Sequence, residues 1–290
     1  MRTQGMLSIV ASLGLALWLS DASAQLAPSR VNARNDLSTM AREPFKVFDN
    51  LYFVGQGEVA SYVITTSEGH ILIDTMWDLP GYTEYLLNNI RKVGLRPRDI
   101  KYVLILQGHR DHFMGAPALN DILNVQWGAA EEDWKLIEKD LGEYSPPRDI
   151  VIKEGDSLTL GDLTIDFEIT PGHTPGTTSM RLPVYDNGVR HNAYFHGGTA
   201  LRSDDPATIR EFIADSERIK AMAGKEIDVQ IVNHYDITPY GAPDLFQRAR
   251  LLENRKPGEP HPWVRPGEIV RLMDELIADA RAQLEAAEQN

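Results

Sequence analysis

The chain alternates short strand-like segments with helical ones, and this order limits the folds open to it. Residues 51–55, 61–66 and 70–75 are rich in β-branched and aromatic residues and are separated by turns, which predicts hairpin strands. Residues 86–93 then carry apolar side chains at helical spacing. The run YVLIL at 102–106 is apolar throughout, which predicts a strand buried on both faces.

A second block repeats the order of the first. Its predicted strands lie at 156–170, on both sides of an Asp-Asn-Gly turn at 186–188, and at 228–234. Helices are predicted at 114–123, 131–140, 207–222, about 242–252 and 267–288. Two sheets packed face to face with helices outside satisfy this arrangement, and neither half has a natural break, so we expect one folded domain.

The N-terminus has the layout of a secretory signal peptide over residues 1–24. Arg2 supplies positive charge, an apolar run follows at 6–19, and small residues then offer a cleavage site. The alternative is an uncleaved anchor, but the run is short for a membrane span. Residues 25–45 are polar without a clear period and are interpreted as an N-terminal arm, which leaves 46–290 as the domain. We expect a periplasmic or secreted protein that is free of the membrane after cleavage.

Charge and cysteine content exclude several classes of function. The net charge of −13, with no clustered basic face, argues against nucleic acid as a partner. The sequence contains no cysteine, so disulfides, thiolate metal ligands and cysteine nucleophiles are all excluded.

Four of the eight histidines follow strand-like segments: His109, His112, His173 and His234. Loops at strand ends are where rigid scaffolds present catalytic groups. His109 and His112 are three positions apart, so on a helical turn they face the same side. Their imidazoles and the carboxylate of Asp111 between them are good metal ligands. The alternative is a polar surface loop with a capping aspartate. His173, held between two Pro-Gly pairs, and His234 favour a metal site.

Several sequence motifs of the chain resemble those of a known family. The segments QGHRDH (107–112), TPGHTPGTTS (170–179), LIDT (72–75) and a strand ending in Asn-His are similar to the motifs of the metallo-β-lactamase superfamily. PFKVFDNLYFVG (44–55) and RKPGEPHPW (255–263) resemble more particularly the third subclass of class-B β-lactamases. The resemblance covers nearly all of the chain after residue 24. It implies an α/β fold, the αββα sandwich, with a dinuclear metal site at one edge of the two sheets.

The resemblance also implies a ligand set for two Zn²⁺ ions per chain. The first ion would be bound by Gln107, His109 and His173, and the second by Asp111, His112 and His234. Gln107 departs from the family, which usually has a histidine there. A neutral amide oxygen is a weaker zinc donor than imidazole. Either Gln107 ligates a weakened first site, or that site is empty and one metal acts alone.

Further roles follow from the same resemblance. A metal-bound hydroxide would attack a carbonyl group, with Asp111 as the catalytic residue that orients it. Ser179 and Thr199 are candidates for contacts to a substrate carboxylate. Gly198 stands where many related hydrolases have a metal-bridging aspartate, which favours the lactamase-like members. Asp74 would bond near the site without touching metal.

The remaining histidines are assigned no metal. His196 is expected at the end of an edge strand, His70 and His191 in solvent, and His261 in packing. The implied function is zinc-dependent hydrolysis of the amide bond of β-lactam antibiotics, small-molecule substrates. The alternatives are a lactonase or other ester or amide hydrolase on the same site, and a catalytically impaired metal-binding relative. The sequence does not indicate an oligomeric state.

Overall fold

The strands form two sheets in the computed structural model, which describes residues 36–77 and 79–289. The first sheet follows chain order: β1 (Phe45–Phe48), β2 (Leu51–Phe53), β3 (Tyr62–Thr66), β4 (Gly69–Ile73), β5 (Ile100–Leu104), β6 (Gln126–Ala130) and β7 (Ile150–Ile152). Neighbouring strands from β1 to β4 pair antiparallel, and neighbouring strands from β4 to β7 pair parallel.

The second sheet has the spatial order β12-β11-β10-β9-β8. Its strands are β8 (Ser157–Leu160), β9 (Leu163–Ile169), β10 (Thr178–Asp186), β11 (Val189–His196) and β12 (Val229–Val232). β12 pairs in parallel with β11, and the other pairs are antiparallel. Asn187 and Gly188 have φ angles of 50° and 80° and form the tight turn of the β10–β11 hairpin, as the Asp-Asn-Gly sequence predicts.

Helices cover the outer face of each sheet. Their bounds are α1 (Leu37–Met40), α2 (Tyr82–Lys92), α3 (Arg110–Phe113), α4 (Ala116–Asn120), α5 (Glu131–Leu141), α6 (Pro206–Met222), α7 (Leu245–Glu253) and α8 (Pro266–Glu288). Short 3₁₀ turns lie at Pro97–Asp99 and Gly142–Tyr144. One apolar core lies between the sheets, a second lies under α2 and α5, and a third lies under α6 and α8. This is the αββα sandwich predicted from the sequence.

The buried strand β5 shows why its segment is apolar throughout. Successive side chains of a strand point to opposite faces. Leu104 and Leu106 pack into the core between the sheets, and Val103 and Ile105 pack under the outer helices. From Val103 to Leu106, burial on both faces leaves no position for a polar residue until Gln107, where the polar loop begins.

The predicted helix at 114–123 is shorter in the structure. Within that segment α4 covers Ala116–Asn120, and a separate short helix, α3, ends just before the segment at Phe113. Gly115 lies between the two helices, and a Cβ atom there would lie 2.4 Å from the backbone oxygen of Thr75. The close approach of these two loops requires a glycine.

The N-terminal boundary also differs from the expectation. The signal-peptide prediction for residues 1–24 and part of the predicted arm lie outside the described residues. The arm was predicted to reach residue 45, yet Phe45 already begins β1 and stacks on Phe53 with ring centroids 5.0 Å apart. The Arg42 backbone N–H also donates to Tyr85 Oη at 2.8 Å. In the part of the chain that the structure describes, no helix combines the length and apolarity needed to cross a bilayer.

Candidate metal centre

Three loops from the ends of strands meet at one edge of the sandwich. The first runs from Gln107 to His112 after β5, the second carries His173 after β9, and the third carries His234 after β12. Gly172, with a φ of 134°, allows the sharp turn that presents His173. His234 pairs in an isolated β-bridge with Val59, in the loop between β2 and β3, which joins the third loop to a loop of the first sheet.

The loops bring the six predicted ligands together as two adjacent groups. We call Gln107, His109 and His173 the first group. The Nδ1 atom of His109 lies 2.6 Å from Gln107 Oε1 and 3.1 Å from His173 Nε2. The two imidazole rings stand edge to face, with centroids 4.7 Å apart.

Asp111, His112 and His234 form the second group. The Nε2 atoms of His112 and His234 are 3.2 Å apart, and each lies 3.6 Å from Asp111 Oδ2. Candidate ligand atoms of all three residues lie within 4.8 Å of one another. The group is well enclosed, because His112 is fully buried and the Asp111 side chain is 21% exposed.

The outer ring nitrogens have partners that fix how the inner ones point. His112 Nδ1 lies 2.7 Å from Asp74 Oδ2, His234 Nδ1 lies 3.0 Å from the Glu58 carbonyl oxygen, and His173 Nδ1 lies 2.7 Å from the Ala200 carbonyl oxygen. Carboxylate and carbonyl oxygens accept hydrogen bonds from these nitrogens. Each neutral ring therefore carries its proton on Nδ1 and directs the lone pair of Nε2 inward. Such outer partners orient ligating histidines in metal sites. Asp74 therefore bonds beside the site, as expected.

The donor chemistry fits a divalent metal. In the second group, two nitrogen lone pairs and a carboxylate oxygen face one another, an arrangement that is repulsive without a cation between them. Ligands at the usual Zn–N distance in a tetrahedral site lie about 3.3 Å apart. The separations of 3.1, 3.2 and 3.6 Å in the two groups match this spacing.

Electrostatics keep most of these groups in their ligating forms. Burial lowers the pKa of His173 to about 3 and that of His234 to about 4, so both rings are neutral at physiological pH. Burial would raise the pKa of Asp111, but His112 and His234 outweigh it and lower that pKa overall. For His112, burial lowers the pKa and the charges of Asp111 and Asp74 outweigh it in the opposite direction.

Gln107 stands between the two groups. It is fully buried, its Oε1 atom faces His109, and its Nε2 atom lies 2.8 Å from His112 Nε2. The amide oxygen therefore points to the first group and the amide nitrogen to the second. This orientation is the one in which the oxygen would serve as a donor to a metal in the first group.

A cleft of about 560 Å³ opens above both groups. Thr199 lines it, as expected of a residue that contacts substrate. Ser179 does not line it: its side chain is 1% exposed, and its Oγ atom lies 2.8 Å from Thr170 Oγ1. The expectation that Ser179 contacts substrate is corrected by this position, because its side chain is buried on the helix-covered face of β10, opposite to Met180 in the core between the sheets.

Packing explains the glycine that replaces a bridging aspartate. A Cβ atom at Gly198 would lie 2.6 Å from Cδ2 of the His173 ring. Any side chain at this position would displace that ring, so glycine is required for the close packing of His173.

The remaining histidines depart partly from expectation. His261 is buried and stacks on Phe48 with centroids 4.1 Å apart, which confirms its packing role. His196 ends β11, an interior strand and not the predicted edge strand, and its buried Nε2 atom has no hydrogen-bond partner among the described residues. His191 was expected in solvent, but its Nδ1 atom lies 2.6 Å from Asp228 Oδ2. His70, also expected in solvent, is half-buried.

Trp77 and Arg202 also line the cleft, and neither was predicted to belong to the site. Within residues 36–77 and 79–289, no carboxylate forms an ion pair with the Arg202 guanidinium. Burial is the main cause that lowers the pKa values of His109 and His173, and the charge of Arg202 contributes to both. The position of Arg202, four residues after Gly198 in a loop beside the site, was the only signal in the sequence.

Comparison with known proteins agrees with this geometry. The family profile described as the metallo-β-lactamase superfamily matches residues 54–186. The subclass B3 metallo-β-lactamase BJP-1 of Bradyrhizobium japonicum superposes with a TM-score of 0.70 at 32% identity, covering 86% of this chain and 96% of that one.

Two curated relatives carry other activities. The hydroxyacylglutathione hydrolase GloC of Haemophilus influenzae is 27% identical over 176 residues, which are 57% of this chain and 81% of that protein. An N-acyl homoserine lactonase of Bacillus cereus is 27% identical over 150 residues, which are 44% of this chain and 59% of the lactonase. From its fold, its convergent histidines and its 32% identity along the length of a solved member, the chain belongs to the metallo-β-lactamase superfamily of hydrolases.

Proposed function

We propose that this hydrolase opens the amide bond of β-lactam antibiotics with two zinc ions, one in each group. The observation that carries the proposal is the pair of adjacent groups, with ligand atoms 3.1–3.6 Å apart, at the base of one open cleft. The absence of a carboxylate at Gly198 and the 32% identity to a subclass B3 enzyme support the choice of substrate.

The chain's residues divide the work between binding and proton handling. Gln107, His109 and His173 would hold the first ion, and Asp111, His112 and His234 the second. Bound zinc would supply a Lewis acid and lower the pKa of water. The Asp111 carboxylate, whose pKa lies below its usual value, can orient the attacking water and accept its proton. Thr199, on the cleft wall, is placed to contact the substrate carboxylate.

The predicted signal peptide agrees with this substrate. Export to the periplasm would bring the enzyme to the compartment where such antibiotics arrive. Mature protein recovered from the periplasmic fraction, with its N-terminus near Gln25, is the expected result of fractionation and mass spectrometry.

A substrate panel tests the proposal. We expect zinc-loaded protein to hydrolyse a carbapenem and a chromogenic cephalosporin faster than an N-acyl homoserine lactone or a glutathione thioester. The curated relatives favour lactone or thioester hydrolysis as the second candidate function. If either of those substrates is opened much faster than both lactams, that candidate replaces the first. Failure to turn over any of the four contradicts both.

Gln107→His is expected to strengthen metal binding by the first group. Imidazole is a better donor to zinc than a neutral amide oxygen, and Gln107 Oε1 already faces His109 at 2.6 Å. Competition with a chromophoric chelator should show tighter binding of one of two ions. Gln126→His, which adds an exposed imidazole on β6, is the control. Equal first-site affinity in the Gln107→His variant and the natural protein would mean that Gln107 is not a ligand.

Arg202→Ala is expected to raise KM for a carboxylate-bearing lactam about threefold to tenfold with little change in kcat. The exposed guanidinium on the cleft wall offers a charge-assisted hydrogen bond to an anionic substrate. Steady-state kinetics on the lactam and its methyl ester provide the measurement, since the ester should not respond to the variant. Arg210→Ala, on α6 and paired with Glu288, is the control. An equal KM change for acid and ester would rule out this contact.

A further inference from the structure

The first group depends on two loops that are far apart in sequence. His109 follows β5 and His173 follows β9, 64 residues later. Neither residue has an acidic partner like Asp74, which holds His112 of the second group. Some other contact must therefore bring the loops to the separation of 3.1 Å between the His109 and His173 nitrogens.

A buried carboxylate on the neighbouring helix contacts both loops. Asp133 lies in the first turn of α5 and is 0% exposed. Its Oδ2 atom accepts a hydrogen bond from Thr174 Oγ1 at 2.8 Å, and its Oδ1 atom accepts one from the Gly176 N–H at 3.0 Å. The backbone of Gly108 packs against the same carboxylate, and its N–H contributes to lowering the Asp133 pKa against the larger effect of burial. Gly108 directly precedes His109, and Thr174 directly follows His173.

The glycines of both loops support this arrangement independently. A Cβ atom at Gly108 would lie 3.1 Å from Asp133 Cγ and 2.7 Å from Leu136 Cδ1. A Cβ atom at Gly176 would lie 2.8 Å from Asp133 Cγ and 2.7 Å from the Asp133 backbone nitrogen. Both loops thus have a glycine where the backbone presses against the start of α5.

We propose that Asp133 is a positioning residue for the first group, and that it holds His109 and His173 at metal-binding distance by joining their loops. Asp133 touches neither histidine ring and acts through the adjacent backbone and Thr174. Burial raises the pKa of the Asp133 carboxyl group to about 6, although its hydrogen bonds act in the opposite direction. The carboxylate is therefore still mostly charged at neutral pH, in a place that disfavours charge. The consequence for metal binding rests on the proposed function, whereas the joining of the loops does not.

Asp133→Asn is the test, because it keeps the shape of the side chain but replaces one acceptor with a donor. One of the three donors that face Asp133 then loses its acceptor. Glu168→Gln is the matched control: Glu168 is also a buried carboxylate, bound by Tyr194, Arg181 and Arg218 on the helix-covered face of β9. Thr174→Ser keeps the hydroxyl donor and should behave like the natural protein, whereas Thr174→Val should resemble Asp133→Asn.

The first measurement uses metal-free protein. NMR should show faster hydrogen exchange at the Gly108 and Gly176 amides of Asp133→Asn, together with loss of the His109–His173 ring contact. The control should retain both features even if its melting temperature falls as far. Retention of the ring contact and of amide protection in Asp133→Asn would overturn the proposal.

The second measurement is zinc affinity by chelator competition. Loss of an outer partner lowers metal affinity about 10- to 100-fold, and we expect this loss for one ion in Asp133→Asn while the other ion is unaffected. Equal weakening of both ions, or of neither, would contradict positioning of the first group alone. Natural protein that takes up fewer than two ions would overturn the proposed dinuclear function, and the metal-free comparison would still decide the role of Asp133.

Discussion

Asp111→Asn is expected to lower kcat for lactam hydrolysis about 10²- to 10⁴-fold. The size of the effect follows from the removal of a positioned proton acceptor, to which the loss of an anionic metal donor adds. Asparagine keeps the shape of the side chain, but its amide has no charge to balance a cation between His112 and His234, which lie 3.6 Å from Asp111 Oδ2. The variant should also bind the second zinc more weakly.

Steady-state kinetics with a chromogenic cephalosporin, together with zinc analysis of the same samples, provide the measurement. Asp121→Asn, an exposed aspartate at the end of α4, is the control and should leave both values unchanged. A kcat for Asp111→Asn within tenfold of the natural value would show that the nucleophile does not depend on this carboxylate.

Removal of metal by a strong chelator is expected to abolish activity and to lower the melting temperature by about 5 to 15 °C. An ion present at 100 to 1,000 times its Kd stabilises the folded state by about 2.7 to 4.1 kcal/mol, and each kcal/mol shifts the melting temperature of a domain of this size by about 2 to 4 °C. The physical source is the second group, where electron-rich atoms face one another at 3.2 and 3.6 Å.

Thermal unfolding and activity are measured before chelation, after it, and after zinc is restored. His112→Ala, which lacks a central donor of the second group, should show a smaller chelator-induced shift than the natural protein. Full activity and an unchanged melting temperature in excess chelator would contradict a catalytic metal.

Local patterns explain how much of the fold was predictable. Strand β5 needs apolar residues on both faces, and the polar loop begins at Gln107 as soon as that requirement ends. The hairpin turn at Asn187 and Gly188 depends on backbone angles that few residues adopt. Such features are encoded by neighbouring residues, so they can be inferred from sequence alone.

Features that depend on distant contacts were not predictable in this way. The glycine between α3 and α4 is required by contact with Thr75, and Ser179 is buried on the helix-covered face of β10, beside Thr170. Asp133 resembles any acidic residue in the first turn of a helix until the loops of His109 and His173 are seen to pack against it. The contact of Thr75 with Gly115 and those of Asp133 with Thr174 and Gly176 join residues 40 to 43 positions apart, and no local pattern marks them.

The candidate ligands were predictable for a different reason. Histidines that follow apolar strands have few packing roles, and a family motif connects them even though the fold separates them in sequence. The geometry adds what the motif lacks, namely that Gln107 directs its oxygen to one group and its nitrogen to the other.

Anomalous diffraction at the zinc absorption edge, on crystals grown with zinc, tests the metal centre most directly. Two peaks are predicted, one bounded by Gln107, His109 and His173 and the other by Asp111, His112 and His234. A single peak in the second group would remove the first ion from the account and leave one metal acting alone. No peak at either group, in crystals of protein that hydrolyses a lactam, would contradict the metal-dependent account as a whole.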